Sequence, residues 1–331
     1  MTKIAIIGGG FAGLVMANLL KNQAEITVFE KSRGVGGRMA TRYVGDWEFD
    51  HGAPFFTVKT EEFKSFLRPL MLKNLVTPWN LKFADSSFHS KIYTPNFPAE
   101  TCFIGTPRMN SIGKYLAQSL DVKLETKIIT LEKISQKWQL IDDKMQKYQG
   151  FDVVITTTPA PQAAEILPQN CSYFAEIAKR EMLPTFAAML GFEGEILHSH
   201  DWDVAYFQNC AIDFLIANHQ KPGRKAHSSL VVFTDHSWAK QNIDRDKDEI
   251  GRVIIAELED VFQKNLHPST MQVHRWLYAK ANLPGVEGGF FADWENYLIS
   301  CGDWCFGTGV ESAFASGLAV CNYLKLHFAQ C

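Results

Sequence analysis

Residues 4–13 read IAIIGGGFAG, and this stretch decides the fold. Its apolar half predicts a buried strand, and its glycines predict a tight turn that leads into a helix over 14–20. A second apolar run, residues 26–29, ends at the acid Glu30. A strand, a glycine turn, a helix and a second strand that ends in an acid about 20 residues later are the pattern of a βαβ unit that binds a dinucleotide.

Each residue of this pattern has a physical task at the nucleotide. Gly8 permits the tight turn, Gly10 lets the backbone approach a pyrophosphate, and Gly13 lets the helix pack closely on the strand. The helix N-terminus presents free amide groups and the positive end of its dipole to the phosphates. Glu30 can accept hydrogen bonds from both ribose hydroxyls of an adenosine. The sequence therefore predicts a dinucleotide site at this turn.

A second glycine turn follows at once, because residues 31–39 read KSRGVGGRM. The amides of Gly36 and Gly37 can approach a phosphate closely, and Arg38 offers several donors to its oxygens. The alternative is a surface turn with a solvated arginine, which the first motif directly before it disfavours. The extended pattern resembles that of the FAD-binding amine-oxidase-like flavoproteins, in which such a segment lines the pyrophosphate from the far side.

The end of the chain carries a third motif. Residues 298–304 read LISCGDW, a short apolar strand that ends in Gly-Asp, and residues 307–313 read GTGVESA before a helix predicted over 314–324. In the flavoproteins that the chain resembles, the aspartate after this strand binds the ribityl hydroxyls and the next helix points its N-terminus at the flavin. The resemblance therefore implies Asp303 as the ribityl ligand and the amide of Val310 at the flavin ring. A bystander acid in a turn is the alternative.

Composition argues against several classes of protein. The formal net charge is −3, so no basic field is present that would attract nucleic acid or an anionic membrane. The glycine motif explains the apolar run over 4–20 better than a signal peptide does, and no other run is long enough for a membrane span. Seven cysteines, an odd number without closely spaced metal-binding pairs, predict reduced thiols and a cytoplasmic protein.

Hydrophobic periodicity divides the rest of the chain. It predicts helices over 61–71, 109–120 and 248–263, hairpin strands over 122–129 and 137–141, a buried strand over 151–155, and further strands over 185–192, 214–217 and 230–234. The predicted fold is α/β, with a Rossmann-like FAD-binding domain and a substrate domain built on a mixed antiparallel sheet above the flavin. We assign residues 1–60, 100–172 and 283–331 to the FAD-binding domain, and residues 61–99 and 173–282 to the substrate domain.

Five further segments, spread over nearly the full length, carry a closer resemblance. They read GTPRM at 105–109, PAPQA at 159–163, KPGR at 221–224, HRWLYA at 274–279 and CGDWC at 301–305. Together with the flavin motifs they resemble bacterial renalase-like flavoproteins of the flavin amine oxidase superfamily. The resemblance implies a p-hydroxybenzoate-hydroxylase-like architecture with noncovalent FAD. It also implies oxidation of the 2- and 6-dihydro isomers of NAD(P)H to NAD(P)+, with O2 reduced to H2O2.

The motifs and the resemblance together nominate the site residues. The predicted FAD contacts are Gly8, Gly10, Phe11, Ala12, Gly13, Glu30, Lys31, Gly37, Arg38, Met39, Ile128, Asp303, Gly309 and Val310. Hydride transfer from a dihydropyridine asks little of acid–base residues, so the protein has mainly to position the substrate ring. The predicted positioning residues are Arg275, Trp276 and Tyr206, with Phe207, Tyr278 and Arg224 as further candidates. For each of them a core aromatic or a salt-bridged arginine is the alternative.

Two other functions stay open. A true amine oxidase takes hydride from a C–N bond and commonly places a lysine near the flavin, for which Lys280 is no clear equivalent. A non-catalytic flavoprotein would use FAD structurally or as a redox sensor. The predicted partners are O2 and a small-molecule substrate, either a dihydronicotinamide dinucleotide or an amine, with no nucleic acid and no membrane. The oligomeric state is left open.

Two histidine-containing segments are weighed against the flavin site. Residues 198–201 read HSHD, but a third spaced ligand is missing, so we interpret them as a loop and predict no metal site. His51 lies in a segment that passes close to the flavin in related flavoproteins. A supporting packing role is favoured for His51 over covalent attachment of the cofactor.

Overall fold

The computed structural model describes residues 1–96, 101–194, 202–225 and 227–328. Its contacts divide the chain into two compact units. The first unit comprises Met1–Arg38, Ile112–Met182 and Lys280–Cys331, and the second comprises Met39–Ser111 and Leu183–Ala279. Each unit has its own sheets and its own hydrophobic clusters.

The described residues form eight helices and 20 strands. The helices are α1 Phe11–Leu20, α2 Glu61–Leu72, α3 Asn110–Ala117, α4 Ala160–Ile166, α5 Phe174–Ala178, α6 His236–Gln241, α7 Lys247–Phe262 and α8 Val310–Phe328. The strands are β1 Lys3–Ile7, β2 Glu25–Phe29, β3 Thr41–Val44, β4 Trp47–Asp50, β5 Phe56–Thr57, β6 Val76–Trp79, β7 Ile92–Tyr93, β8 Cys102–Gly105, β9 Asp121–Lys123, β10 Ile128–Ile134, β11 Lys137–Asp142, β12 Lys147–Phe151, β13 Val153–Thr156, β14 Met182–Gly191, β15 Val204–Phe207, β16 Ile212–Ala217, β17 Ser229–Thr234, β18 Thr270–Ala281, β19 Phe290–Asp293 and β20 Leu298–Cys301.

The first unit is built on a six-stranded sheet in the order β19-β20-β13-β1-β2-β9. Neighbouring strands run parallel, except that β19 is antiparallel to β20. The strand β1 is buried along its length after Lys3, because both faces of this sheet are covered. The parallel strands end along one edge, so Gly8, Glu30, Thr157 and Gly302 follow strands that finish side by side.

The two faces of this sheet belong to two different cores. Ile4 and Ile6 pack on one face with α1 and α8, whereas Ala5 and Ile7 pack on the other with α4 and the antiparallel sheet β10-β11-β12. The helices α1 and α8 approach closely at Gly317, where a Cβ atom would lie 3.1 Å from the carbonyl oxygen of Ala12. The predicted Rossmann-like βαβ start is therefore confirmed.

The prediction of one hairpin strand over 122–129 was wrong. Residues in its first part belong to β9, which extends the parallel sheet beside β2, and only its last residues begin β10, which forms the hairpin with β11. Glu125 lies between the two strands and has a φ of +50°, so the chain turns there. The alternation of residue types does not show this turn, because neither glycine nor proline marks it.

The second unit is built on another six-stranded sheet, in the order β18-β14-β17-β16-β15-β7. Successive residues of a strand point to opposite faces of a sheet. On one face, which we call the helix face, Phe186, Ala188 and Leu190 pack in a core with Ile254 and Leu258 of α7.

The opposite face carries Tyr206, Phe214 and Phe233, and we call it the aromatic face. Tyr206 and Phe214 have ring centroids 5.4 Å apart, and Phe214 stacks on Phe233 at 4.6 Å. The predicted α/β fold with an antiparallel sheet in its second part is therefore confirmed. No helix among the described residues combines the length and the apolar character that crossing a membrane requires.

The division into units differs from the predicted domain boundaries at four places. Residues 39–60 and 101–111 were predicted in the FAD-binding domain, but their contacts group them with the second unit. Residues 173–182 and 280–282 were predicted in the substrate domain, but they group with the first unit. The segments 39–60 and 101–111 group with the second unit because Asp50 of the hairpin β3-β4 binds the side chains of Lys221 and Arg224 and the amide of Met109. The assignment of cofactor binding to one part and of substrate binding to the other stays a prediction.

Candidate functional site

The glycine turn after β1 has the geometry that its pattern predicts. Gly8 has a φ of +118°, and a Cβ atom there would lie 2.5 Å from Oγ1 of Thr157. A Cβ atom on Gly13 would lie 2.2 Å from the carbonyl oxygen of Gly8. Both positions therefore require glycine. A Cβ atom on Gly10 would meet nothing within 4 Å, so open space lies in front of α1.

The start of α1 is equipped for a negatively charged group. Gly10 occupies the N-cap without a side-chain cap, and the first turn contains no acidic residue. The first amides of a helix have no partner within the helix and carry partial positive charge. An anion at this end would satisfy both the amides and the dipole.

Glu30 is held rigidly at the end of β2. It is only 7% exposed, and its carboxylate accepts hydrogen bonds from the amide of Gly9 and the amide of Ser32, each at 2.8 Å. A carboxylate has about four acceptor positions, so two amide donors leave capacity for hydroxyl groups. The position of Glu30 therefore suits the ribose contact that the sequence predicts.

The second glycine turn lies directly against the first. The amide of Gly36 donates to the carbonyl oxygen of Gly9 at 2.8 Å, and a Cβ atom on Gly37 would lie 3.1 Å from Cα of Gly10. Gly113, which sequence reasoning missed, supports this turn from α3, since its Cβ atom would lie 2.9 Å from Cα of Gly36. The two glycine turns thus form one continuous backbone surface.

Arg38 and Asp303 meet each other, although the sequence assigns them to different parts of the cofactor. The guanidinium donates from Nη1 to Oδ2 of Asp303 at 2.9 Å and from Nη2 to Oδ1. Asp303 is 4% exposed and Arg38 is 31% exposed, so the pair lies at the edge of the site. This two-pronged geometry is the strong form of an arginine–carboxylate contact.

Two threonines after β13 complete the first unit's site. The hydroxyl of Thr157 donates to the carbonyl oxygen of Gly8 at 2.8 Å, and the carbonyl oxygen of Thr158 accepts from Nε1 of Trp304 at 3.1 Å. Oγ1 of Thr158 is buried and has no hydrogen-bond partner in the described structure. A buried hydroxyl without a partner costs free energy unless a ligand satisfies it. Sequence reasoning singled out neither threonine.

In the second unit, three aromatic rings form what we call the ring cluster: His51, His274 and Trp276. His51 stacks on Trp276 with centroids 5.4 Å apart, and His274 contacts both rings at 4.9 and 4.4 Å. The indole Nε1 of Trp276 donates to the carbonyl oxygen of His51 at 2.7 Å. A hydrogen bond and two ring contacts therefore fix the orientation of the indole.

Both histidines of the ring cluster are neutral near pH 7. Burial, together with the neighbouring His274 and Arg42, lowers the pKa of His51 to about 3, and the backbone hydrogen bond at Phe49 opposes this shift. Burial likewise lowers the pKa of His274 to about 4, with the charges of Arg42 and Lys247 acting in the same direction. The cluster is thus an uncharged aromatic surface rather than an acid–base pair.

Asp50, Lys221 and Arg224 form a buried charge cluster, and Asp50 directly precedes His51 in the sequence. Oδ2 of Asp50 accepts from Nζ of Lys221 at 3.0 Å and from Arg224, and its Oδ1 accepts from the hydroxyl of Thr41 at 2.7 Å. Burial alone would raise the pKa of Asp50, but the two cations and their hydrogen bonds lower it well below its usual range. The segment that carries His51 is therefore anchored by an ionised carboxylate.

Two family models match the chain. Residues 6–70 match a model described as an NAD(P)-binding Rossmann-like domain, and residues 78–325 match one described as flavin containing amine oxidoreductase. The second match covers well over half of the 331 residues. The chain belongs to the flavin-containing amine oxidoreductases. It is therefore an FAD-dependent oxidoreductase.

Several known proteins are similar to this oxidoreductase. Renalase of Mus musculus is 23% identical over 348 residues, which cover 98% of this chain and 99% of renalase. The 1-hydroxycarotenoid 3,4-desaturase of Flavobacterium sp. (strain P99-3) is 30% identical, but over only 41% of this chain and 30% of the desaturase. A structure from Exiguobacterium sp. 255-15 described as a protoporphyrinogen oxidase has a TM-score of 0.79 at 13% identity, and a putrescine oxidase triple mutant has 0.68 at 11% identity. Both structures share 98% of this chain and 99% of their own, so they support the fold.

The first unit of this oxidoreductase fits FAD. The open space at Gly10, the uncapped start of α1 and the donors of Arg38 suit the pyrophosphate, and Glu30 suits the adenosine ribose. The buried, unpartnered hydroxyl of Thr158 and the carboxylate of Asp303 supply further polar groups. A Cβ atom on Gly309, which has a φ of +101° and precedes α8, would also meet nothing within 4 Å.

The remaining predicted cofactor residues differ in their surroundings. Phe11, Ala12 and Val310 are buried at the starts of α1 and α8. Ile128 packs in the core beneath the hairpin sheet, and Met39 is buried at the first position of the second unit, whereas Lys31 is exposed. Their contacts with FAD stay predictions.

The structure separates two of the predicted substrate residues. Met271 and Val273 of β18 pack against the core of the helix face, so Arg275 shares that face and Trp276 lies on the aromatic face. The guanidinium of Arg275 lies 5.7 Å from the ring of Phe186, and its Nη2 donates to the carbonyl oxygen of Arg245 at 2.9 Å. Arg275 therefore has a structural explanation, and we leave it out of the proposed substrate site.

Tyr206 shares the aromatic face with Trp276 but lies far from it. Four strand spacings separate β15 from β18, a distance of about 19 Å. Tyr206 contacts Phe83, Tyr93 and Phe214, and burial raises the pKa of its hydroxyl. Phe207 points into the core of the helix face, so it is a packing residue. The segment 198–201 lies outside the described residues, and no group of three or more metal-binding side chains occurs among those described.

Proposed function

We propose that this FAD-dependent oxidoreductase oxidises the 2- or 6-dihydro isomers of NAD(P)H to NAD(P)+, with O2 as the final acceptor and H2O2 as its product. Bound FAD would supply the two-electron acceptor and the reaction with O2. The observation that carries the proposal is the similarity to mouse renalase, which spans both chains almost from end to end. It includes the second unit and is not confined to the nucleotide-binding motifs.

The ring cluster supports this proposal chemically. Loss of hydride from a dihydronicotinamide leaves a positively charged aromatic ring. Neutral rings at His51 and His274 accommodate that ring without charge repulsion, and the face of Trp276 attracts a cation. In the proposed enzyme these three residues bind and orient the nicotinamide and exclude water from it. No residue of this chain needs to accept a proton from the substrate carbon.

An amine oxidase is the second candidate, because the matching family model is named for amine oxidoreductases. Two lysines bear on it. Lys280 is exposed, and Lys221, although fully buried, is paired with Asp50 at 3.0 Å. Neither lysine is a clear equivalent of the lysine that amine oxidases commonly place near the flavin, so we rank an amine oxidase second. A non-catalytic flavoprotein ranks third.

The test is anaerobic mixing of the purified yellow protein with borohydride-reduced NAD+, which contains the 2-, 4- and 6-dihydro isomers. Parallel samples receive pure 4-dihydro NADH or a panel of amines. Rapid loss of the visible flavin absorbance with the isomer mixture, and slow loss with NADH, is the expected result. Loss only with an amine would establish the second candidate. No loss with any compound would remove both.

A variant of the ring cluster sharpens the test. Trp276→Phe keeps an aromatic ring but loses the indole donor to the carbonyl oxygen of His51. We expect a higher KM for the isomer with FAD content unchanged. Trp294→Phe is the matched control, because Trp294 stacks on Tyr323 in the first unit at 4.1 Å and has no part in the proposed site.

A further inference from the structure

Arg42 lies on the same face of the hairpin β3-β4 as His51. In the register of the hairpin, Thr41 is opposite Asp50 and Arg42 is opposite Phe49. Side chains that lie opposite each other share a face, and neighbours along a strand alternate. Thr41 and Asp50 therefore form one face with the buried charge cluster, while Arg42 and Phe49 form the other. His51 directly follows Asp50, so the alternation places it on the side of Arg42 and Phe49.

Arg42 is half-buried, and its side chain has no hydrogen bond or ion pair among the residues that the structure describes. Three other arginines of the second unit are paired with acids: Arg108 with Glu48, Arg224 with Asp50 and Arg245 with Glu249. A guanidinium that no carboxylate holds can donate its hydrogen bonds to the oxygens of a bound anion.

The charge of Arg42 reaches the ring cluster. It lowers the pKa of His51 and the pKa of His274, so the guanidinium acts on two of the three rings. The histidines themselves stay neutral and do not compete for an anion. A positive group beside an uncharged aromatic surface is a combination that recognises a ring and a phosphate in one molecule.

We propose that Arg42 binds the phosphate attached to the nicotinamide-bearing ribose of the substrate, while the nicotinamide ring lies against the ring cluster. This proposal rests on the proposed function, and it names the substrate class more narrowly, as a phosphorylated dihydronicotinamide. A single ribose links that phosphate to the nicotinamide ring. A cation adjacent to the ring cluster can therefore reach this phosphate more easily than it can reach a phosphate farther from the ring. A planar guanidinium can hold two phosphate oxygens at once.

The experiment compares three substrates of increasing size on the FAD-loaded enzyme. These are the 6-dihydro forms of nicotinamide riboside, nicotinamide mononucleotide and NAD, of which only the riboside lacks a phosphate. Arg42→Gln should raise KM about tenfold for the two phosphorylated substrates and less than about twofold for the riboside, because a charged hydrogen bond contributes about 1.5–3 kcal/mol and 1.4 kcal/mol is tenfold. Arg42→Lys should lie between the wild type and Arg42→Gln.

Arg245→Gln is the matched control, because Arg245 is an exposed arginine of the same unit whose acid partner is Glu249. It should leave all three KM values unchanged. Visible flavin absorbance per protein shows that each variant is folded and loaded. An equal rise in KM for the riboside and the mononucleotide, or no rise for either, would overturn the role of Arg42.

A second measurement separates this proposal from the proposed function. Oxidised enzyme is titrated with inorganic pyrophosphate and with NAD+, and binding is followed by calorimetry. If no dihydro isomer is oxidised but the wild type binds these anions and Arg42→Gln binds them at least about tenfold more weakly, the proposed function fails and the phosphate site stands. If the wild type binds neither, or the variant binds equally well, the phosphate site fails.

Discussion

Asp50→Asn removes the only carboxylate of the buried charge cluster and should be strongly destabilising. Asp50 and Lys221 are fully buried, and the side chain of Arg224 is 2% exposed. The amide of asparagine keeps nearly the same volume but leaves both cations without a counter-charge. Removing one partner of a buried ion pair costs about 3–5 kcal/mol of the free energy of unfolding. With an m-value of about 3 kcal/mol/M, this lowers the urea midpoint by roughly 1–2 M.

The assay is urea denaturation of the FAD-loaded protein, followed by tryptophan fluorescence at pH 7. Asp260→Asn serves as the control, since it removes an exposed carboxylate that binds Lys91 in the same unit. Exposed pairs of this kind contribute about 0–1 kcal/mol. A loss for Asp50→Asn no larger than that for Asp260→Asn would refute the view that Asp50 anchors this segment. Adding Lys221→Met to Asp50→Asn should recover part of the loss, because one of the two uncompensated cations is then gone.

Three further outcomes follow from the same contacts. Asp303→Ala should purify with little FAD, measured as visible absorbance per protein, and a fully yellow variant would contradict its role. Gly13→Ala should lower the melting temperature and FAD content together, because its methyl group would lie 2.2 Å from the carbonyl oxygen of Gly8, an overpacking that typically costs about 1–3 kcal/mol. The free energy of unfolding should fall as the pH drops from about 6.5 towards 4. In the folded state His51 has a pKa of about 3 and His274 a pKa of about 4, so in this range both are protonated in the unfolded chain before they are protonated in the folded one. His51→Phe should flatten this dependence in urea midpoints measured at several pH values, and an unchanged slope would show that His51 is not the group responsible.

The part of the fold that could be predicted from sequence is the part with local rules. The turn at Gly8 needs a backbone that only glycine adopts easily, and the strand before it and the acid Glu30 after it lie within one βαβ unit. The spacing alone therefore locates the nucleotide turn. The same is true of α7, predicted over 248–263 and observed over Lys247–Phe262, because its apolar residues recur at the helical period.

Contacts between distant segments could not be predicted in this way. Arg38 and Asp303 lie 265 positions apart, and nothing in either motif indicates that they bind each other. The segments at 105–109 and 221–224 carried a family resemblance only, whereas the structure brings both to Asp50 through the amide of Met109 and the side chain of Arg224. Buried ion pairs of this kind leave no periodic signal in a sequence.

The separation of Arg275 from Trp276 shows a signal that was available but not used. Adjacent residues of a strand point to opposite faces, so interpreting residues 274–279 as a strand would have shown that the two side chains cannot both contact one substrate. Arg42, in contrast, was hidden, because a surface arginine in a short hairpin is usually solvated or paired. Its position beside the ring cluster is visible only in the structure.

The order of the chain has a consequence for how the protein is made. The first unit consists of three separate pieces, and its sheet lacks β20, the Asp303 turn and α8 until residues 298–328 have left the ribosome. Translation proceeds at about 5–20 residues per second, so the glycine turns at the N-terminus emerge well before the carboxylate that Arg38 binds. A nascent chain therefore cannot complete its FAD-binding site before these last residues are synthesised. Retention of FAD then reports that synthesis has run through Asp303, and premature termination should yield colourless protein.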